Sequence, residues 1–330
     1  MDYVFLGKTG VKVSRLAFGT MSFGGDADEA TSAKLFARCL DAGINVFDCA
    51  NVYSKGRAEE ILGGLVRGRR DELVLTTKAF FPMGQGPNDR GSSRYHLVRS
   101  VEASLRRLGT DRIDVFFLHR FDEATALEES LRAVEDLVRQ GKVLYPAASN
   151  FAAWQVMKAL GIAEAKGFAP LVCIQPQYSL AKRQAEVELL PMAKSEGLAV
   201  FPYSPLGGGL LSGKFGVADR AEGARLVTNE MYKARFGEAE TFELAERFRA
   251  FANERGLHPV TLAIAWVMHH PAVTAPLLGA RNVEQLEPAL AAAELAMDFE
   301  LREAVSALSK APPPATDRSD EQTGMFLGQR

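Results

Sequence analysis

Three polar residues close runs that are otherwise largely apolar: Asp48 in Asn45-Val46-Phe47-Asp48, Lys78 in Leu75-Thr76-Thr77-Lys78, and His119 in Phe116-Phe117-Leu118-His119. Tyr53 follows the acid by five residues. A carboxylate, an ammonium, an imidazole and a phenol are suited to carbonyl reduction, which needs hydride at carbon and a proton, or strong polarisation, at the developing alkoxide. A phenol, with a reference pKa of about 10, is a weak acid for that task; a nearby ammonium favours the phenolate, and a carboxylate keeps the ammonium charged and oriented. Any one of these residues alone is more often a cap, a surface charge or a satisfied core group. An acid, a lysine and a histidine ending three consecutive runs, with a tyrosine just after the acid, form a candidate site.

Residues so far apart in sequence meet only if their strands end on one rim. Eight short runs rich in Val, Ile, Leu and Phe supply such strands: 16–19, 45–48, 73–78, 115–119, 143–149, 172–175, 199–203 and 274–278. Amphipathic stretches lie between them, such as 97–108, where Leu97, Val98, Val101, Leu105 and Leu108 recur at helical spacing and arginines fill the other face. Eight βα repeats predict an α/β chain closed into a (β/α)8 TIM barrel, with the strand ends converging on one mouth. No Gly-x-Gly-x-x-Gly turn follows the first strand, which disfavours an open dinucleotide-binding sheet. The alternation around Gly7 and Gly10 predicts an N-terminal β-hairpin able to plug the barrel's base. Residues 1–311 are expected to form one domain and 312–330, after Pro312-Pro313-Pro314, a tail. Residues 206–240, rich in glycine and charge, are expected to be a long loop at the C-terminal face covering cofactor or substrate.

The 330 residues are 47% hydrophobic and 24% charged, enough to bury a large core. Lys and Arg number 39 against 41 Asp and Glu, so no basic field marks a nucleic-acid or membrane partner, and a small molecule is expected instead. Cys39, Cys49 and Cys173 have neither metal-ligand nor redox-pair spacing and read as reduced core thiols; no metal is expected. No leader or long apolar span is evident, and the expected location is cytoplasmic.

The four residues, with Phe18-Gly19-Thr20-Met21, Ala148-Ser149-Asn150-Phe151, Gln175-Pro176-Gln177-Tyr178 and Tyr203-Ser204-Pro205-Leu206, resemble the aldo-keto reductase superfamily in its bacterial branch. The resemblance spans nearly the whole chain. It implies NADPH-dependent reduction of an aldehyde or ketone, with Asp48, Tyr53, Lys78 and His119 catalytic and His119 hydrogen-bonded to the substrate oxygen. It implies that Ser149, Asn150 and Gln175 bind the nicotinamide amide, that Tyr178 stacks on its ring, and that Gly19, Thr20, Met21 and Asp48 also face the cofactor. The segment from Tyr203 through Ser204, Pro205, Leu206 and Gly208 to Leu210 would wrap the pyrophosphate, since glycines let backbone N–H groups approach phosphate. After the last strand, Gly279, Arg281 and Gln285 precede or open a helix; Arg281 is expected on the 2′-phosphate, favouring NADPH over NADH. Phe23, Tyr53, Phe80, His119 and Arg120 are the expected substrate contacts.

Several features depart from simple patterns. Gly208 to Lys214 fits Gly-x-x-x-x-Gly-Lys, but Phe215 stands where a magnesium-binding Ser or Thr is needed, so nucleotide hydrolysis is rejected. Pro288 and Ala289 replace the acid and asparagine that many relatives use on adenine, and Pro146 interrupts a strand as a non-donor. Two rival readings are a lyase forming a Schiff base on Lys78 and a non-catalytic NADPH-binding redox sensor. Substrate identity and oligomeric state are not legible in the sequence.

Overall fold

A computed structural model describes residues 1–218 and 225–316. The strands are β1 (Tyr3–Phe5), β2 (Lys12–Ser14), β3 (Ala17–Gly19), β4 (Val46–Asp48), β5 (Val74–Ala79), β6 (Ile113–Leu118), β7 (Val143–Ser149), β8 (Cys173–Gln175), β9 (Ala199–Val200) and β10 (Leu277–Leu278). The helices are α1 (Glu29–Asp41), α2 (Arg57–Leu65), α3 (Arg94–Leu108), α4 (Leu127–Arg139), α5 (Ala153–Lys166), α6 (Leu189–Glu196), α7 (Arg225–Thr228), α8 (Glu230–Phe236), α9 (Ala239–Glu254), α10 (Pro259–Met268), α11 (Val283–Leu290) and α12 (Phe299–Ser306).

Strands β3 to β10 form one parallel sheet in the order β10-β3-β4-β5-β6-β7-β8-β9. Its two ends meet: the Thr274 N–H donates to the Val200 carbonyl at 3.0 Å and the Leu277 N–H to the Pro202 carbonyl at 2.9 Å. The sheet is therefore the expected (β/α)8 barrel. Along each strand the side chains alternate. Val46, Val74, Val115, Phe117, Ala147, Cys173, Ala199 and Phe201 share one cluster inside the barrel, while Phe47, Leu75, Phe116, Ala148, Ile174 and Val200 pack outward against the helices. The hairpin β1–β2 contributes Leu6 and Val13 to the interior cluster, so it does plug one end.

Local chemistry sets the helices. Ser93 accepts the His96 N–H at the start of α3, and Gly109 closes that helix with φ 61°. Pro146 breaks no ladder: its carbonyl accepts from Val172, so its missing N–H faces chain that precedes β8.

The 206–240 segment differs from the expected loop. It carries a 3-10 turn at Gly207–Ser212, then α7 and α8, and its Leu210, Phe215, Leu226, Tyr232 and Phe236 form a separate apolar cluster with Phe242 and Ala245 of α9. Residues 219–224 of that segment, and 317–330 of the expected tail, lie outside the described residues.

Candidate active site

The interior side of the barrel register continues upward into polar residues. Asp48 follows Val46 on β4, Thr76 and Lys78 follow Val74 on β5, and His119 follows Phe117 beyond β6. Ser149 follows Ala147, Gln175 follows Cys173, and Tyr203 follows Phe201 by the same two-residue step. The period that fills the core below thus delivers a polar layer to the mouth above.

Asp48 is buried and fully hydrogen-bonded: Oδ2 accepts from Lys78 Nζ at 2.5 Å, and Oδ1 accepts from Thr76 Oγ1 at 2.5 Å and Gln175 Nε2 at 2.9 Å. Lys78, with no exposed side-chain surface, also donates to the Cys49 carbonyl at 2.7 Å and stands 3.5 Å from the Tyr53 hydroxyl. His119 lies edge-on to the Tyr53 ring, centroids 6.3 Å apart, and its Nδ1 is buried without a partner among the described residues. All four residues expected at the site are therefore gathered together.

Tyr53 is held by an unusual turn. Ser54 and Lys55 both adopt left-handed backbone (φ 46° and 55°), as does Gly56 (φ 96°), before α2 begins. Left-handed non-glycine residues cost about 1–3 kcal/mol each and persist only where their surroundings fix them. The Ser54 hydroxyl, donating to the Phe23 carbonyl at 2.8 Å, is one such constraint.

Burial pushes the Tyr53 phenol up to about 12, although the Lys78 ammonium pulls it down. Lys78 thus acts in the expected sense, yet desolvation is the larger effect, and the phenol keeps its proton. Burial works against the Lys78 ammonium, but the Asp48 carboxylate outweighs it and holds Lys78 above the ordinary lysine value. Burial, aided by Lys78, drives the His119 imidazole well below its ordinary value, so it is neutral.

His119 has a stability consequence, shared with His270, which burial beside the Tyr178 ring pushes down to about 4. The unfolded chain takes up protons near pH 6.5 while these folded imidazoles stay neutral, so stability is complete above that pH and falls below it. Urea unfolding should show a lower midpoint at about pH 5.5 than at about pH 7.5. A His270→Gln variant should show a shallower decline; a midpoint independent of pH over this range would refute the assignment.

Around this centre, the Thr20 N–H and hydroxyl both donate to the Asp48 carbonyl, at 2.8 and 3.0 Å, and Gly19 pairs with Asp48 across the strands. Met21 is exposed. The Ser149 hydroxyl donates to the Gln175 carbonyl at 2.9 Å. Asn150, itself left-handed at φ 56°, donates from Nδ2 to the His119 carbonyl at 2.9 Å and accepts the Tyr203 hydroxyl on Oδ1 at 2.8 Å. Ser204 is left-handed at φ 57° and leads through buried Pro205 and half-buried Leu206 into Gly207, Gly208 and Gly209, with φ of 59°, 69° and 101°. Gly208 lies beneath Tyr232, where an added Cβ would come within 2.6 Å of the ring. Leu210 is fully buried in the satellite cluster, so only its backbone could face a ligand.

At the far rim Gly279 is exposed, and the Arg281 N–H donates to Gln285 Oε1 at 3.2 Å. Arg281 is half-buried just before α11, and its guanidinium has no acidic partner among the described residues. A run of left-handed glycines and an arginine with no acidic partner among the described residues at a helix start suit the phosphates of a dinucleotide, and Tyr203 offers a partly exposed ring at the mouth. These residues fit the group expected from the sequence.

Two expected contacts stand elsewhere. Tyr178 has no exposed surface: its ring packs on Trp266 with centroids 5.2 Å apart, and its hydroxyl donates to Glu186 at 2.6 Å, so no face is free to stack. Phe23 is likewise fully buried against Phe18, and cannot touch a substrate. Phe81 takes the place at the mouth, edge-on to His119 at 4.9 Å and to Phe80 at 5.4 Å, and Arg120 is exposed beside them.

Sequence reasoning assigned no role to Thr76 or Glu59. Thr76 could have been found from the strand period, since two residues before an inward Lys78 must also point inward. Glu59, fully buried on α2, accepts from Thr77 Oγ1 at 2.6 Å and Arg107 Nε at 2.7 Å, fixing the back of β5. Its signal was weak, because Glu59-Glu60 reads as an exposed acidic first turn. Among the described residues no cluster of three or more His, Cys, Asp or Glu could hold a metal ion, and no helix is long and apolar enough to cross a membrane.

The sequence profile of the Aldo/keto reductase family matches residues 15–309. Uncharacterized oxidoreductase YrpG of Bacillus subtilis (strain 168) is 42% identical over 312 residues, covering 91% of this chain and 94% of that protein. Probable voltage-gated potassium channel subunits beta are similar too, at 35% identity in Arabidopsis thaliana (89% of this chain, 92% of theirs) and 36% in Oryza sativa subsp. japonica (87% and 89%). The family generally uses NAD(P)H, and its members include oxidoreductases acting on carbonyl groups. This chain is an oxidoreductase belonging to the aldo/keto reductase family.

Proposed function

We propose that the protein reduces an aldehyde or ketone to an alcohol with NADPH, Tyr53 donating the proton. The observation that carries this reading is the buried Asp48–Lys78 pair with the Tyr53 hydroxyl 3.5 Å from the ammonium. Bound NADPH would supply a hydride to the carbonyl carbon. The chain does the rest. Tyr53, protonated through burial, donates from its hydroxyl to the substrate oxygen, and Lys78 stabilises the phenolate left behind. Asp48 holds Lys78 charged and in place. Neutral His119 can donate a hydrogen bond to the same oxygen, orienting the carbonyl.

Ser149, Asn150 and Gln175 are the proposed holders of the nicotinamide amide. Tyr203, not the buried Tyr178, is the proposed ring platform. Gly19, Thr20, Met21, Ser204, Pro205, Leu206, Gly208, Gly279 and Gln285 complete the proposed cofactor lining, and Leu210 would act only through its backbone. Phe80, Phe81 and Arg120 are the proposed substrate contacts, which favours apolar or aromatic carbonyl compounds. The three cysteines are free and buried, as suits a cytoplasmic setting.

The Schiff-base rival requires a neutral, nucleophilic amine, whereas Lys78 is held charged by Asp48. The sensor rival, relevant because two relatives are named as channel subunits, leaves the assembled proton-transfer set without a use. Incubation with NADPH and a panel of aldehydes, ketones and keto-sugars tests the proposal through loss of nicotinamide absorbance. Binding of NADPH with no turnover on any of them would favour the sensor.

Arg281 provides a separate prediction. If its guanidinium binds the 2′-phosphate, Arg281→Ala should weaken NADPH binding about tenfold or more and leave NADH binding nearly unchanged. Equal losses for the two cofactors in fluorescence titrations would remove Arg281 from that role.

A further inference from the structure

We propose that the protein has a second small-molecule site, for a small organic anion with an apolar body, in a cavity of about 260 Å³ on the outer flank of the mouth. The cavity lies between the ends of β7 and β8 and the first turn of α6, beyond the bridge that pairs Gln177 with Tyr203. None of Asp48, Tyr53, Lys78 and His119 lines it. It meets the proposed cofactor wall only at Asn150 and Tyr203, whose side chains are already bonded to each other at 2.8 Å and form a partition.

The lining dictates the ligand's chemistry. Among the described residues no acidic one borders the cavity, whereas Lys182, Gln177 and Gln184 do. Lys182 is half-buried, and its ammonium has no acidic partner among the described residues. The Gln177 Nε2 is shut off from solvent and has no hydrogen-bond partner there either, so a ligand in the cavity would reach it once the Gln177 side chain rotates toward the cavity. An unmet buried amide donor costs stability, and the lysine that lines the same cavity selects a ligand that is negatively charged. The rest of the wall, with Phe151, Pro176, Ala185 and Leu189, is apolar. A carboxylate on Lys182, joined by the rotated Gln177 amide, with its hydrocarbon portion against Phe151 and Leu189, would use both the polar and the apolar parts of the wall. Gln184, at the exposed edge, would add a second amide donor.

Benzoate is the probe, since it combines one carboxylate with one flat apolar body. Calorimetric titration of the full chain should detect benzoate binding both without NADPH and with NADPH at saturation. Lys182→Met should weaken it about tenfold or more, as expected for loss of a charged hydrogen bond, and Gln177→Leu should also weaken it. Tyr53→Phe should leave it unchanged, which separates this cavity from carboxylate binding at the catalytic mouth. Because Gln184 is exposed, Gln184→Leu provides a variant whose folding is not in question, and it should weaken benzoate modestly. The proposal is overturned if benzoate fails to bind, if NADPH displaces it, if Tyr53→Phe abolishes binding, or if folded Lys182→Met binds as tightly as the parent.

Discussion

Tyr53→Phe is expected to lower kcat for carbonyl reduction by about 10²–10⁴ while leaving the Kd for NADPH nearly unchanged. The substitution removes one oxygen and keeps the ring, so the turn built from Ser54, Lys55 and Gly56 keeps its packing. The loss falls on the proton donor alone. The reading that would distinguish this from a folding defect is a split between parameters: single-turnover hydride transfer slows, whereas cofactor titration and the thermal midpoint stay close to the parent. Because burial carries the phenol up to about 12, reduction by the parent should show no loss from Tyr53 ionisation through neutral and mildly alkaline pH. The reverse reaction, which needs the phenolate, should instead accelerate as pH rises. A Tyr53→Phe enzyme with undiminished turnover would transfer the proton-donor role to another group.

The arrangement behind that prediction was partly legible in the sequence, for a physical reason. Strand side chains alternate with a period of two, so Asp48, Lys78 and His119, each closing an apolar run, had to share one rim once the strands were parallel. The same rule identifies Tyr203: it continues Ala199 and Phe201 on the inward side, whereas Tyr178 lies three residues beyond Gln175, where the chain has left β8 and turned under Trp266. Motif order favoured Tyr178; register favoured Tyr203. Phe23 misled for a related reason, since a turn residue after β3 has no period to fix its direction, and Ser54 and Phe18 hold it inward. The helices in 206–240 escaped notice because Leu210, Phe215, Leu226, Tyr232 and Phe236 follow no constant spacing; they cohere only through their packing on α9. Gln177 stands within the Gln175-Pro176-Gln177-Tyr178 run, yet neither it nor Lys182 carries a sequence signal of a role of its own, because what distinguishes both is the partner they lack.

Lys78→Met is expected to abolish turnover and to destabilise the fold by about 3–5 kcal/mol, the cost of stripping one partner from a buried ion pair. The geometry puts this variant at the severe end. The Lys78 side chain has no exposed surface and that of Asp48 only 2%, so water cannot replace the lost ammonium. Thr76 and Gln175 would still donate to Asp48, but neither carries charge. The contribution of the pair itself is a different quantity. Replacing both partners by apolar residues of similar size is often close to neutral, because the desolvation cost disappears together with the attraction. Asp48→Leu combined with Lys78→Met should therefore regain much of the stability lost by the single variant, and still show no reduction. Urea unfolding of the parent, both single variants and the double variant closes the cycle. If stability and activity recover together, the pair is not needed for proton transfer; if the single variants unfold no more easily than the parent, Asp48 and Lys78 are not a buried pair in solution.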